Sequence, residues 1–228
     1  MPNPSLLICD SDVLVQLFLP NQLQPLKDLK TLYGVQPAIV QEVDLEMRWL
    51  GHYGARFVHQ LDKALKSGLI VRLENTLFQS LLGTAPVGAS WSNFQSLGAQ
   101  YLGLSEKGEA YTHAAGVTLR LPVASDDFRA IEVFEFQMKH LPAPVLRSFD
   151  LLAFSVESGC LSLPDCEKVR SCLLKEKRWI PGCFRNSSIR DGMANFSCRL
   201  RDSTEAPSDL KPPERFSDTL FIDRLQLG

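Results

Sequence analysis

The run Ser5-Leu6-Leu7-Ile8-Cys9 is apolar from Leu6 to Cys9, of strand length, and stops abruptly at Asp10-Ser11-Asp12. Beyond that stop, Val13, Leu14, Leu17 and Phe18 recur at helical spacing. The pattern predicts a buried strand over 5–10 and a helix near 12–19. Leu121-Pro122-Val123-Ala124 repeats the arrangement: an apolar run, then Ser125-Asp126-Asp127, then an amphipathic run through Ala130, Ile131, Val133 and Phe134. Both units place acids at the C-terminal end of a buried strand, where open α/β sheets hold their ligands.

The intervening pattern fills in an alternating α/β chain. A polar loop is expected through Pro20, Asn21 and Pro25. A helix is expected from about Pro37 to Leu50, carrying Ile39, Val40, Val43, Met47 and Leu50 on one face with Glu42 beside it. A further helix runs from His52 to Lys66, closed by Ser67-Gly68, and Leu69 to Leu73 reads as a strand. Residues 76–103 are less regular: Leu77, Leu81 and Leu82 suggest a helix, Pro86 to Ser92 a loop, and Phe94 to Leu102 a helix or turn. Leu104-Ser105-Glu106-Lys107-Gly108-Glu109-Ala110 opens a helix with Ser105 as N-cap and acids in the first turn, ending at Gly116 before a strand over 117–124. Ala143 to Phe149 reads as a strand, Asp150 to Val156 as a helix closed by Gly159, and Leu163 to Lys177 as another helix. Such alternation predicts an α/β fold with a parallel sheet.

From about Asn186 the chain turns polar and contains Pro207, Pro212 and Pro213. Residues 1–184 are therefore expected to form one domain, with a helical insert around 52–103. Residues 185–228 form an extension with a terminal helix at 216–226. With 228 residues and 45% hydrophobic content, the chain can bury a sizeable core. No apolar segment reaches the roughly 20 residues that span a bilayer, and no basic region precedes the first apolar run, so a cytoplasmic location is expected. The six cysteines are too sparse for a disulfide scaffold and lack CxxC spacing, which argues for reduced, partly buried thiols and against zinc fingers. A net charge of −2 argues against a general basic field that wraps long DNA. It leaves room for a local strip, to which Lys63, Lys66, Arg72, Lys107, Arg120 and Arg129 are candidates.

Carboxylates gathered at one rim repel one another, and a hard divalent cation with oxygen ligands is the usual remedy. The carboxylate stations occur in the order Asp10 with Asp12, Glu42, Glu109, and Asp126-Asp127. Each has a plainer reading. Asp10 and Asp126 suit helix N-caps, and Glu109 suits a first-turn acid. His113, one turn beyond Glu109, reads as a partly exposed helical histidine. Trp49, Trp91 and Trp179 could stack bases, but tryptophans more often anchor cores or interfaces.

Over roughly residues 5–180 the chain resembles the PIN domain family, small metal-dependent ribonucleases that include bacterial toxins. The resemblance is carried by Ile8-Cys9-Asp10-Ser11-Asp12-Val13-Leu14, Ile39-Val40-Gln41-Glu42-Val43, Leu104 to Ala110, and Ala124-Ser125-Asp126-Asp127-Phe128-Arg129-Ala130. Phe149-Asp150-Leu151-Leu152 and Glu157 to Ser162 resemble the end of the longer members. It implies a three-layer α/β/α fold around a central parallel sheet. It also implies an active site in which Asp10 is the first metal ligand, Glu42 the second acid, Glu109 the third, and Asp127 or Asp126 the fourth. Ser125 would brace the last acid, and Asp12 stands where a small polar residue is common. Asp44 and Glu46 rival Glu42 for the second station. The implied cofactor is Mg²⁺ or Mn²⁺, activating water for in-line attack on an RNA phosphodiester, with Lys107 and Arg129 flanking the strand. The implied partners are RNA, a protein antitoxin or inhibitor, and a second copy of the chain. The competing expectation is a PIN-like binding module without catalysis.

Overall fold

The computed structural model describes residues 5–49, 54–83, 85, 87–137, 145–178, 180, 182–185 and 188–191. Its centre is β1 (Ser5–Cys9), whose Leu6, Leu7, Ile8 and Cys9 are wholly buried. A strand buried on both faces has no polar side to alternate with, which is why the run is continuously apolar. β1 pairs in parallel with β2 (Val35–Ile39) on one side and β4 (Val123–Ala124) on the other. β3 (Val71–Arg72) pairs outside β2, giving the order β3-β2-β1-β4. Leu146 adds one parallel bridge to Ala124 beyond β4.

β1 is followed by α1 (Ser11–Phe18) and α2 (Gln24–Tyr33), which carry the chain back to β2. From there α3 (Gln41–Trp49) and α4 (Gly54–Lys66) lead to β3. The next segment, α5 (Asn75–Leu81), α6 (Trp91–Tyr101) and α7 (Lys107–Leu119), returns past β2 and β1 to deliver β4. Right-handed crossovers place these two sets of helices on opposite faces of the sheet, so the architecture is consistent with three α/β/α layers. After β4 come α8 (Phe128–Ile131), a π-helical continuation over Glu132–Gln137, α9 (Ser148–Glu157), α10 (Leu163–Lys175) and α11 (Gly182–Arg185). Strand order reverses between β1 and β4, which makes the crevice beyond Cys9 and Ala124 the topological switch point.

Several expectations are corrected. The helix expected from Pro37 begins only at Gln41, because Val35–Ile39 is β2, with Leu7 opposite Pro37. Proline suits the first turn of a helix, so it disguised a strand. It is tolerated here because β3 pairs only with Ala38 and Ile39, leaving Pro37 beside β1 alone. The polar loop expected around Pro25 contains the start of α2, with Pro25 at its first turn and Gly34 (φ 66°) at its left-handed C-cap. α7 runs through Gly116 to Leu119 and is closed by Arg120 at φ 53°, so the strand expected over 117–124 shrinks to two residues. The strand expected over 143–149 reduces to the Leu146 bridge, since Ser148 already opens α9. Gly159 (φ 75°) follows α9 as expected. The terminal helix at 216–226, Trp179 and nearly all of the extension lie outside the described residues.

The helices beneath the crevice are fixed by aromatic packing. Phe78, Trp91, Phe94 and Tyr111 interlock with centroids 5.1–5.7 Å apart. At Gly98 an added Cβ would meet the Tyr111 ring at 2.6 Å, so α6 and α7 approach there by virtue of the missing side chain.

Candidate functional site

Asp10 is the first residue beyond β1 and caps α1: its Oδ1 accepts the Ser11 N–H at 2.8 Å. Its Oδ2 accepts the Ser125 hydroxyl at 3.2 Å, tying the ends of β1 and β4 together. Ser125 Oγ in turn accepts the Asp127 N–H at 3.2 Å, and Asp127 Oδ1 accepts the Ala130 N–H at 2.9 Å, capping α8. The capping reading therefore holds for Asp10, whereas α8 is capped by Asp127 and not by the expected Asp126; capping coexists with the convergence of these acids. Asp12, one residue into the first turn of α1, presents an oxygen to Glu109 from α7 and Asp127, all three within 4.8 Å of one another.

Glu109 also accepts the Glu106 N–H at 3.3 Å; with Glu106 as N-cap, a capping box opens α7, where Ser105 had been expected as the cap. The glutamate is 7% exposed and its carboxyl is pushed up to about 10, first by burial, then by the charge of Asp10 and by its hydrogen bond with Asp127. Burial, aided by the charges of Asp12 and Glu46, likewise holds Asp10 well above the ordinary aspartate range. Burial and mutual repulsion thus disfavour full ionisation of this carboxylate cage. The nearest cation in contact is Arg178, whose Nη2 donates to Asp12 Oδ1 at 2.5 Å.

Asp126 points elsewhere. Its Oδ1 accepts the Ser148 N–H at 3.2 Å at the start of α9, and burial raises its carboxyl to about 6 despite the Ser148 bonds and the nearby Arg147. Its Oδ2 is buried without a hydrogen-bond partner among the described residues.

The three acids of α3 differ in their partners. Asp44 is engaged by Arg48 at 2.9 Å and Arg72 at 2.7 Å. Glu42 lines a shallow groove of about 250 Å³ with Leu45, Trp49 and Lys107, to which Glu46 and Gly108 also contribute, and its charge acts on Tyr111. Glu46 faces the crevice: its Oε1 accepts the Ser11 hydroxyl at 2.9 Å, and it shares the field of Asp10 and Asp12. Burial raises the Glu46 carboxyl. Gly108 makes room for it, since a Cβ there would lie 2.2 Å from Glu46 Oε2.

His113 is fully buried, contrary to the exposed helical histidine expected. Its Nδ1–H donates to the Glu109 carbonyl at 2.8 Å, its ring stacks on Phe134 at 4.1 Å, and burial lowers it to about 4. It is a neutral packing element beneath the acids. Lys107 and Arg129 are exposed, whereas Arg72 is committed to Asp44 and Glu74. Trp49 is 82% exposed, and Trp91 is half-buried against Phe78 and Phe94.

The residues that sequence reasoning missed, or held only as rivals, are Glu46, Ser11, Gly108 and Arg178. Glu46 lies one turn from Glu42, so the two share a helix face and pattern alone could not separate them. Ser11, between two aspartates, was a readable signal. Arg178 lies 166 residues from Asp12 and had none.

The fold and these side chains define an α/β protein with a four-stranded parallel sheet and a carboxylate-lined crevice at its switch point. Comparison of the chain with family models, with curated proteins and with solved structures returns no match.

Proposed function

We propose that this chain is a PIN-like, Mg²⁺- or Mn²⁺-dependent endoribonuclease. The observation that carries the reading is the meeting of Asp12, Glu109 and Asp127, drawn from three distant segments, within 4.8 Å at the switch point of the sheet. The donor set fits the cation: it is all oxygen, as hard divalent ions require, and the raised Glu109 carboxyl marks a place where positive charge would be stabilised.

Asp12, Glu109 and Asp127 would hold the ion, with Asp10 directly behind them adding its charge and Glu46 serving as the acid from α3. A bound Mg²⁺ or Mn²⁺ supplies a water of lowered pKa as nucleophile and Lewis-acid stabilisation of the phosphodiester oxygens. The chain's own contribution is position. The Ser125 hydroxyl orients Asp10, the Ala130 amide fixes Asp127, and the Ser11 hydroxyl holds Glu46 toward the crevice. Arg178 steadies Asp12, while the exposed Lys107 and Arg129 would contact a single-stranded backbone.

A silent binding module is the second reading, favoured by Arg178 already resting on Asp12. The test is cleavage of a mixed single-stranded RNA by purified protein with Mg²⁺ or Mn²⁺, beside EDTA, Asp12→Asn and Asp127→Asn. Metal-dependent cutting lost in Asp127→Asn supports the nuclease. Folded protein that binds RNA but cuts none under either metal supports the module.

A further inference from the structure

A second concavity lies at the opposite edge of the sheet. α1 carries the chain about 12 Å, by its rise per residue, from the acids at its N-terminus to the turn at Asn21. There, the α1–α2 connection, α2 and α4 enclose a cavity of about 700 Å³. Arg56, His59, Lys63 and Ser67 line it from one face of α4 and its C-terminal turn, and Lys27 faces them from α2. The remaining polar lining is mostly carboxamide, and no Asp or Glu lines the cavity among the described residues.

α2 and α4 carry one acid each, and neither lines the cavity. Asp28 is buried and accepts from Gln24 Nε2 at 2.7 Å, while Asp62 accepts from Arg48 Nη2 at 2.9 Å. Arg56 is held in place by donating to the Leu19 carbonyl at 2.9 Å. Gln60 Nε2 pins the turn by donating to the Phe18 carbonyl and to Asn21 Oδ1, each at 3.1 Å. Three permanent cations thus line one space whose wall is about half polar, with no carboxylate among the described lining residues, on a chain whose net charge is −2. A space of that volume is typical of small-molecule sites, which are mostly apolar. The cations on the polar half of the lining suit a multiply charged anion that accepts charge-assisted hydrogen bonds, and Leu23, Ala64 and Leu69 supply apolar wall beside them.

We propose that this cavity is a binding site for the phosphate groups of a nucleotide-sized anion, separate from the acidic crevice. The experiment is isothermal titration calorimetry of the full chain in EDTA with inorganic phosphate, pyrophosphate, ADP and a short RNA oligonucleotide. Each is repeated on Lys27→Glu/Lys63→Glu, whose two positions are exposed, and on Asp127→Asn as a control at the other site. Pyrophosphate and ADP should bind more tightly than phosphate and weaken with ionic strength. The double lysine variant should lose about tenfold or more in affinity, since two attractive charges become repulsive, with an unchanged melting temperature. Asp127→Asn should bind as the wild type does. Binding confined to RNA, with the same loss in the lysine variant, would assign the phosphates to a nucleic-acid backbone. Absence of saturable binding by every probe, or equal affinity in the lysine variant, would overturn the proposal.

Discussion

In the metal-free protein, raising the pH from 6.5 to 8.5 should lower stability, and Glu109 should be the main reason. Its carboxyl is raised to about 10 in the fold, whereas in the unfolded chain it titrates near the ordinary glutamate value. Across this window the native state therefore holds a proton that the unfolded state has lost. Stability then falls with rising pH by up to about 1.4 kcal/mol per unit, or roughly 2.7 kcal/mol over two units. For a protein of this size that is a drop of about 5–10 °C in Tm. Asp10, also raised, adds to the same sign. The window is chosen because Asp126, raised to about 6, and His113, lowered to about 4, contribute with opposite signs below it. The buried Cys9 and Cys166 thiols, each raised to about 12, add a smaller loss of the same sign near the top of the window, as the unfolded thiols begin to ionise. The assay is differential scanning calorimetry in EDTA and in saturating Mg²⁺, on wild type and Glu109→Gln. The metal should replace the proton and flatten the slope, and the glutamine variant should flatten it without metal. A wild-type Tm that stays level or rises between pH 6.5 and 8.5 in EDTA would refute the reasoning.

Gly108→Ala should displace the Glu46 carboxylate, because its Cβ would fall 2.2 Å from Oε2, and should weaken Mg²⁺ binding by calorimetry with a stability cost of about 1–2 kcal/mol. Gly98→Ala should cost more, about 2–3 kcal/mol in urea denaturation, because the Tyr111 ring at 2.6 Å is locked between α6 and α7; it should leave metal affinity near wild type after correction for folded fraction. Asp126→Asn should retain Mg²⁺ binding and lose little or no stability at pH 7.5, since it removes a charge that burial disfavours. Asp127→Asn should keep the α8 cap but lose metal affinity, so titration of the two variants assigns the ligand within the aspartate pair.

What the sequence made legible is what is encoded locally. β1 was readable because a central strand is apolar throughout, and α1 because its apolar face starts immediately after a capping aspartate. The acids at both strand ends followed from those two patterns. β2 was hidden because Pro37 and the spacing of Ile39, Val40, Val43 and Met47 satisfy a helix as well as a strand followed by one; the choice is made by pairing with β1, which is not local. The lengths of α7 and β4 were misjudged for a similar reason. Gly116 costs a helix only about 1 kcal/mol, and packing of Leu119 and Leu121 against the core outweighs it.

The site shows the same division, one level up. Asp10, Glu109 and Asp127 could be picked out because each also serves a local purpose, as a cap or a first-turn acid, which puts it at an element's end. Residues whose role is relational left no mark. Glu46 differs from Glu42 only in which side of α3 meets Ser11 and Gly108, and Gly108 reads as a weak helix former until Glu46 is placed beside it. A helix-opening Lys-Gly-Glu, in which a glycine interrupts the first turn without a positive φ to justify it, can be explained by close approach of another chain segment. In this protein the approaching group is a carboxylate, aimed at the crevice that already holds Asp10 and Asp12. Had Gly108 been read that way, the second acidic station would have been sought on the helix face that packs against α7, and Glu46 would have been preferred to Glu42 and Asp44.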